Sequence, residues 1–220
     1  MIKLSNIKVM NFENAIRGMR NPFNSWSKSD SYVDENGNFV MGENDFTLAK
    51  KLAKAGGDHR KFLRQMLVSV DILAPLYWWK EFDTYKVGTV ANSCSTMHKI
   101  HDKEFVIEDF SCEKLRPKAK EHLIDICEEL NYWRNIFING GMDDNYDGTA
   151  RIFEPKDKDA WYQMIQLLPT SYNQLRTVTL NYEVLRNMYH AREHHKLDEW
   201  RELCEQIKTL PYSELITGGD

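Results

Sequence analysis

The chain has 220 residues, 42% of them hydrophobic, and a formal net charge of −4 at pH 7. This length and apolar content suffice to bury one full core, so we expect a single domain over residues 1–220. The weakly acidic balance provides no broad basic surface. That excludes a protein that binds duplex nucleic acid through its phosphates, but it leaves single nucleotides open as ligands.

Membrane insertion and disulfide bonding are not expected either. No apolar run approaches the roughly 18 residues of a membrane span, and the chain does not open with a charged-then-apolar leader. The four cysteines, Cys94, Cys112, Cys127 and Cys204, show no paired spacing. Scattered cysteines of this kind are typical of reduced thiols, so we expect a cytoplasmic protein.

The first third of the chain mixes strand and helix patterns. Residues 1–10 alternate in polarity like a strand, and Asn11 is placed to cap a helix that runs to residue 20. Residues 21–42 are rich in Ser, Asn, Asp and Gly, and the pair Asn36-Gly37 is a strong turn signal. We expect a long loop or a small hairpin there.

The next elements are shorter. Asn44 or Asp45 is expected to cap a helix that Gly56 and Gly57 end. Residues 59–65 are predicted to be helical, and residues 66–72 alternate like a strand that Pro75 ends. An aromatic helix over residues 76–82 follows.

Helical periodicity dominates the second half of the chain. The predicted helices cover residues 118–138, 157–168, 177–192 and 197–208, and residues 140–148 are predicted to form an acidic loop. These patterns together indicate an α+β domain with more helix than strand.

A run of small polar residues, 91–96, follows the aromatic helix after a short interval. Its hydroxyl groups and backbone N–H groups are of the kind that can cradle a phosphate. The alternative is an ordinary loop followed by a helix that Ser95 or Thr96 caps.

Arg192 stands out in the C-terminal pattern. By helical spacing it shares a stripe with Asn181, Leu185 and Met188, and its neighbours three and four residues away include no carboxylate. If its guanidinium is buried, the partner must come from elsewhere in the chain. The alternative is an exposed arginine that complements the negative end of the helix dipole.

Two blocks of the sequence resemble the flavin-dependent thymidylate synthases. The first is residues 78–98, where Asn92 and Ser95 match the family's Ser-x-Asn-Glu-x-Ser-x-Arg signature. The second is Leu168-Pro169 and the helix after it, in which Asn187 and Arg192 match the family's closing residues.

The first signature is degenerate. The family's Arg-His-Arg is replaced by residues 83–85 or, in the other register, by residues 85–87, so at most the cation Lys86 remains. Ser93 stands in place of the signature glutamate, and Met97 in place of the last arginine. A lysine is a point charge and cannot form the bidentate fork that arginine makes to phosphate.

The departures continue outside that signature. His59 keeps the place of a family histidine, whereas Arg64 and Gln65 stand where the family has Glu-His. Glu183 and Ile165 each occupy the place of an arginine in or near the second signature.

The resemblance implies an α+β fold with a small, mostly antiparallel sheet flanked by helices and a helix-rich C-terminal half. It implies a homotetramer that converts dUMP to dTMP with FAD, NADPH and methylenetetrahydrofolate, using no protein nucleophile. The residues implied to bind the nucleotide are Arg192, Asn92, Ser93, Cys94 and Ser95. Those implied to bind the flavin are Asn187, Tyr85, Lys86 and His59.

Two other classes of function stay open. The same fold could bind a nucleotide or a flavin, or act on a different pyrimidine, without thymidylate synthase activity. The chain could also be a purely structural oligomer. For the homotetramer that the resemblance implies, the aromatic side chains Tyr77, Trp78, Trp79 and Phe82 are expected to supply subunit contacts.

No metal site is expected. Residues 143–154 fit a calcium-loop pattern, but Arg151 sits at the ninth position, where a ligand or a bridging water belongs, and Pro155 follows the last ligand. We favour an acidic surface loop. Neither Cys94 with His98 and His101, nor His190 with His194, makes a complete ligand shell.

Overall fold

A computed structural model describes residues 2–144 and 149–218 of the chain. It divides into two compact units. The first, which we call the terminal unit, contains Ile2–Ile72, Phe82–Asn92 and the described residues from Arg176 onward. The second, the central unit, contains Leu73–Glu81 and the described residues of Ser93–Leu175. A single domain over the whole chain stays a prediction.

The helices and strands alternate irregularly along the chain. In order they are β1 (Lys3–Met10), α1 (Phe12–Met19), β2 (Tyr32–Val33), β3 (Phe39–Val40), α2 (Glu43–Lys54), β4 (Leu67–Pro75), α3 (Leu76–Phe82), β5 (Val90–Ser93), α4 (Pro117–Asn139), β6 (Gly141–Asp144), β7 (Ala150–Phe153), α5 (Lys158–Leu167), β8 (Asn173–Asn181), α6 (Tyr182–Arg192), α7 (Asp198–Lys208) and α8 (Glu214–Thr217). None of the helices in the described ranges is both long and apolar enough to cross a membrane.

A four-stranded sheet organises the terminal unit. Its strand order is β1-β4-β8-β5, and most residues of these strands belong to this unit. Alternate residues of β4 are buried, which follows from the two-residue period of a strand. Val68, Val70 and Ile72 from that face line one apolar cleft with residues of α6 and α7, such as Met188 and Ile207. This apolar face fixes α6, the helix that carries Arg192.

The central unit has its own hydrophobic core around α4 and α5. Leu130 and Met164 are fully buried there, and the Trp133 ring lies edge-on to Phe153 at 5.6 Å between centroids. The Trp79 indole N–H donates to the Gln174 carbonyl at 2.9 Å. The aromatic residues proposed above as subunit contacts are mostly unsuitable, because Trp78, Trp79 and Phe82 are themselves buried in the chain.

Several sequence predictions are confirmed. The strands near residues 1–10 and 66–75, the aromatic helix and the long helix all form close to their predicted bounds. The predicted small hairpin is β2 paired antiparallel with β3, with Gly37 in the left-handed region at φ 80°. The α+β class with a helix-rich C-terminal half is also confirmed.

The prediction of one helix over residues 177–192 is wrong at its start. Residues up to Asn181 belong to β8, and α6 begins only at Tyr182. Thr177 is exposed while Val178 and Leu180 are buried, which is strand alternation in β-branched sequence rather than a helical stripe. The Asn181 side chain accepts a hydrogen bond from the Val184 N–H at 3.0 Å, so Asn181 caps the helix instead of lying on its stripe.

The predicted acidic loop over residues 140–148 is also partly wrong. Residues 141–144 form β6, which pairs antiparallel with β7, Met142 lying opposite Ile152. The remaining residues, 145–148, lie outside the described ranges, and they include part of the calcium-loop pattern. Arg151, at the ninth position of that pattern, forms an ion pair with Asp159 at 2.5 Å.

The helix starts differ from the predicted caps. Asn11 occupies the N-cap position of α1 as predicted, but its side chain makes no capping bond and donates instead to the Gln65 carbonyl at 2.9 Å. The helix α2 begins after Gly42, so neither Asn44 nor Asp45 is its cap. Asp30 takes that role from outside the helix by accepting hydrogen bonds from the backbone of both residues. The stretch 59–65 forms only a short 3₁₀ turn, Lys61–Gln65.

Asp45 is instead the centre of a buried polar network. Its carboxylate accepts a hydrogen bond from Arg20 Nε at 2.5 Å and from the hydroxyl groups of Ser29 and Ser31, both at 2.6 Å. Burial alone would raise the pKa of Asp45, but the hydrogen bonds from Ser29, Ser31 and Arg20 together hold it below its ordinary value. The network ties the segment between α1 and α2 to the first turn of α2.

We expect Asp45→Asn to lower the free energy of unfolding by about 3 kcal/mol at pH 7, because the change leaves the buried Arg20 guanidinium without its counter-charge. A lowered folded-state pKa contributes stability that is present above the unfolded value of about 4 and is lost as the pH falls through the folded value. The deficit of the variant should therefore shrink below about pH 4, which urea melts over a pH series would measure.

Asp125→Asn is the matched control, since that side chain is 74% exposed. It should change stability by less than about 0.5 kcal/mol. An equal effect of the two substitutions, or a deficit for Asp45→Asn that does not depend on pH, would contradict the proposed role of the buried pair.

Candidate functional site

The segment between α3 and β5, residues 83–89, is the part of the terminal unit that corresponds to the first signature. It is held at its start by an ion pair from Arg176 Nη1 to Asp83 Oδ1 at 2.8 Å. The Arg176 side chain is only 16% exposed. Thus Asp83, which in one of the two registers stands in place of an arginine, binds an arginine from strand β8.

Arg192, the last residue of α6, meets the same segment. Its Nε donates to the Tyr85 hydroxyl at 3.0 Å, and its guanidinium lies 4.6 Å from the centroid of the buried Trp200 ring. A cation over the face of an indole is attracted by the ring quadrupole. Arg192 is therefore half-buried with aromatic partners from elsewhere in the chain, not an exposed arginine at a helix end.

Gly88 closes the segment against the start of α6. Its φ is +79°, and a Cβ atom at this position would lie 2.8 Å from the Asn181 side-chain amide. Both the left-handed backbone and the close approach require glycine. At the next residue, the Thr89 hydroxyl oxygen is buried and has no hydrogen-bond partner within the described part of the chain. A buried polar atom in this state is one that a bound ligand or a water molecule can satisfy.

The other residues implied to bind the flavin are accessible. Lys86, Asn187 and His59 are all exposed. Over residues 2–144 and 149–218, none of these three side chains makes a hydrogen bond or an ion pair. Their polar ends can therefore meet a ligand without breaking a contact.

The polar run is built differently from a phosphate cradle made of backbone groups. Asn92 belongs to the terminal unit, and Ser93, Cys94 and Ser95 belong to the central unit. The Cys94 N–H donates to the Leu175 carbonyl at 2.9 Å, and the Ser95 hydroxyl oxygen accepts from the N–H groups of residues 97 and 98. A turn follows Ser95, not the helix of the alternative reading. Of these three backbone donors only that of Cys94 belongs to the run 91–96, and the Ser95 hydroxyl oxygen is already engaged by the turn.

The structure thus brings together only part of the predicted site. Arg192 and Tyr85 are in direct contact, and Lys86 follows Tyr85 in the chain. Sequence reasoning missed Arg176 and Trp200, which hold the segment 83–89 and Arg192. No signal in the sequence points to Arg176, because Asp83 is an exposed carboxylate and its partner lies 93 residues further along the chain.

The described residues give little evidence for a thiol nucleophile or for a metal site. Burial raises the pKa of Cys127 and of Cys204 to about 11, so both thiols are protonated at neutral pH. Within residues 2–144 and 149–218, no group of three or more His, Cys, Asp or Glu side chains is placed to hold a metal ion.

Comparison by sequence finds no matching protein-family model and no matching curated protein. Comparison by structure does find similar proteins. Thymidylate synthase X from Helicobacter pylori, solved with FAD and dUMP, is 16% identical over 99% of this chain and 98% of its own, with a TM-score of 0.65. A second structure of the flavin-dependent enzyme from that organism with FAD and dUMP is 17% identical, over 97% and 99%, at 0.64.

The third similar structure is the UMP/dUMP methylase PolB from Streptomyces cacaoi, bound with 5-Br dUMP. It is 13% identical over 99% of this chain and 95% of its own, with a TM-score of 0.64. This chain has the fold of the flavin-dependent thymidylate synthases. The fold class predicted from the two degenerate signatures is confirmed, and at this level of identity the likeness establishes the fold alone.

Proposed function

We propose that this chain is a flavin-dependent thymidylate synthase-like enzyme that reductively methylates a pyrimidine nucleoside monophosphate, dUMP to dTMP, with FAD, NADPH and methylenetetrahydrofolate. The observation that carries the proposal is the shared fold over 97–99% of the chain with enzymes solved with FAD and dUMP. The site supports it through a guanidinium at Arg192 that is already oriented beside the signature segment.

Arg192 is the residue we assign to the nucleotide. A guanidinium binds phosphate or carbonyl oxygens through parallel N–H donors, and it loses less entropy when its position is fixed in advance. Tyr85 and Trp200 provide that fixed position. Asn92, in the same unit, is also assigned to the nucleotide, and Ser93, Cys94 and Ser95 of the central unit are assigned by the resemblance alone.

The residues assigned to FAD fit an anionic, hydrogen-bonding cofactor. The Lys86 ammonium, the Asn187 amide and the His59 ring are exposed and uncommitted, and the Thr89 hydroxyl is buried and unpartnered within the described residues. Lys86 would hold the anionic part, while Asn187, His59 and Tyr85 would orient the remainder. Bound FAD would supply the redox chemistry, and the protein supplies position and charge.

The absence of arginines that the family carries favours a second function. Glu183 stands in place of a signature arginine and accepts from Arg60 Nε at 3.0 Å, and Asp83 engages Arg176. One structure with this fold is a UMP/dUMP methylase. The alternative proposal is therefore an enzyme for a different pyrimidine, or a protein that binds a nucleotide or flavin without making thymidylate.

The proposed function predicts a yellow purified protein with absorbance maxima at about 370 and 450 nm, the signature of a bound flavin. Assays with NADPH and methylenetetrahydrofolate should then convert dUMP to dTMP. Turnover of UMP but not dUMP would favour the alternative. A colourless protein that takes up no added FAD would refute a flavoenzyme of either kind and leave a nucleotide-binding protein without flavin or a structural oligomer.

Arg192→Ala should weaken dUMP binding by at least about tenfold, because a charge-assisted hydrogen bond contributes about 1.5–3 kcal/mol. The fold should persist, because the cation–π contacts with Tyr85 and Trp200 and the hydrogen bond to the Tyr85 hydroxyl each contribute only about 0.5–2 kcal/mol. Isothermal titration calorimetry with dUMP and thermal melts of both proteins would measure the two effects.

Arg201→Ala is the matched control, because Arg201 lies on α7 in the same unit and its side chain is 47% exposed. It should bind dUMP like the wild type. Unchanged affinity in Arg192→Ala would remove this residue from the nucleotide site.

We also propose a cytoplasmic homotetramer in which flavin is lost when the subunits separate. Light scattering at micromolar concentration should give four times the monomer mass of 25.9 kDa, with flavin absorbance in the same peak. The finding that would count against shared flavin sites is a monomer that keeps its flavin.

A further inference from the structure

The two-stranded sheet of the central unit, β6 with β7, has one covered face and one exposed face. On the covered face, Phe153 is buried and packs edge-on against the Trp133 ring. On the exposed face, Met142 and Ile152 lie directly opposite each other across the two strands. Met142 is 60% exposed and Ile152 is 75% exposed. Large apolar side chains that are exposed side by side, rather than singly, are a signal for contact with a partner.

Polar contacts hold the covered face in place. The Tyr132 hydroxyl of α4 donates to Asp143 Oδ1 at 2.8 Å. Arg151 forms ion pairs with Asp159 at 2.5 Å and with Asp157 at 3.4 Å. A two-stranded sheet alone is only marginally stable in water, so these contacts to α4 and to the start of α5 are what fix its position. The exposed face is therefore presented on a supported element.

The outer edge of β7 is open and carries no protection. Over the described residues, β7 pairs with β6 on one side and with no strand on the other. Edge strands are usually protected from further pairing by lysines, prolines or local distortions of the strand. The edge strand β1 of the four-stranded sheet has Lys3, Lys8 and a left-handed Asn6 at φ 52°. The strand β7 reads Ala-Arg-Ile-Phe and has none of these features.

Charge and symmetry together select the strand that β7 would pair with. The strand β6 carries Asp143 and Asp144, so β6 beside β6 of a second copy would bring like charges together. Pairing of β6 with β7 of a second copy leaves an open edge at each end and does not close. Pairing of β7 with itself closes as a two-fold dimer. Its one ionised side chain, Arg151, is already neutralised by two aspartates.

The register of such a pair follows from the side-chain alternation. In an antiparallel pair centred on Ile152, this residue lies opposite its own copy, and the exposed faces of both sheets join on one side. A shift by half a residue at the centre would instead place Ile152 opposite Arg151 and bring an exposed face beside a covered one. Centring the pair on Arg151 would place two guanidiniums opposite each other.

We propose that β7 of two copies of this chain pair antiparallel about Ile152, so that the two hairpins form one four-stranded sheet. Ile152 and Met142 of both copies then form a continuous apolar stripe across that sheet. This contact goes beyond the homotetramer proposed above, because it names the strand that joins two subunits. It does not depend on a bound flavin or nucleotide, since all of its residues belong to β6 and β7.

Cross-linking of Ile152→Cys would test the pairing directly. Residues that lie opposite each other in an antiparallel pair have Cα atoms about 5 Å apart, within the range of about 4.4–6.8 Å that a disulfide spans. Met142→Cys is the matched control, because residue 142 would lie three strand spacings, roughly 14 Å, from its copy. After oxidation with oxidised glutathione, non-reducing gels should show a dimer of twice 25.9 kDa for Ile152→Cys alone. The wild type controls for the exposed Cys94.

Ile152→Lys provides a second measurement without a cross-link. The side chain is exposed within one chain, so the variant should melt like the wild type. Two lysines opposite each other and the loss of apolar contact should weaken the association at least about tenfold. Ile152→Val keeps a β-branched apolar residue and should associate like the wild type. Sedimentation velocity from 1 to 100 micromolar would measure this.

Two results would overturn the pairing. One is an Ile152→Cys variant that cross-links no more than Met142→Cys. The other is an Ile152→Lys variant that associates as strongly as the wild type. Either result leaves the proposed flavin chemistry untouched, because flavin absorbance and dUMP turnover are measured separately on the same preparations.

Discussion

The contact of Arg192 with Tyr85 and Trp200 is the constraint on which the candidate site depends. It joins the end of α6 to the segment 83–89 and to the buried ring of α7 at one point. Two other contacts hold the same segment, the Asp83 ion pair with Arg176 and the close approach of Gly88 to Asn181. A segment with no regular structure of its own is thus held at its start, middle and end by elements of the terminal unit. Rigid elements that hold a loop in this way are what ligand sites require.

The cationic side chains near this segment lie at different positions from those that the resemblance implies. The resemblance implies guanidiniums in the segment itself, whereas here Asp83 and Lys86 stand in it and two guanidiniums approach from β8 and α6. Arg176 is largely neutralised by Asp83 at 2.8 Å. Arg192 contacts the Tyr85 hydroxyl group and the Trp200 ring, and an aromatic face attracts a cation without carrying a charge of its own. Lys86 is the exposed cation that the segment itself offers to an anionic ligand.

The sequence predicts this fold well where one period dominates. The long helix α4 and the strand β4 follow directly from their 3.6- and 2-residue patterns. The sequence pattern fails at residues 177–181, because a strand is followed directly by a helix with no turn residue between them. The signal that separates the two elements is Asn181, which caps the helix. Asp45 was misjudged because its position near a helix start suits a cap, while its true partners, Arg20 and Ser29, come from a separate segment. Contacts between distant segments leave little trace in local pattern.

The same reasoning explains why the candidate site was only partly predicted. Arg192 could be singled out because its own helix offers no carboxylate, but neither Tyr85 nor Trp200 could be named as its partner from spacing. The burial of these partners decides how the site responds to salt. Lys86 is exposed, so its attraction to a ligand is screened over about 8 Å at physiological ionic strength. Arg192 is half-buried against aromatic rings, so salt screens its interaction with an anionic group less than it screens that of Lys86.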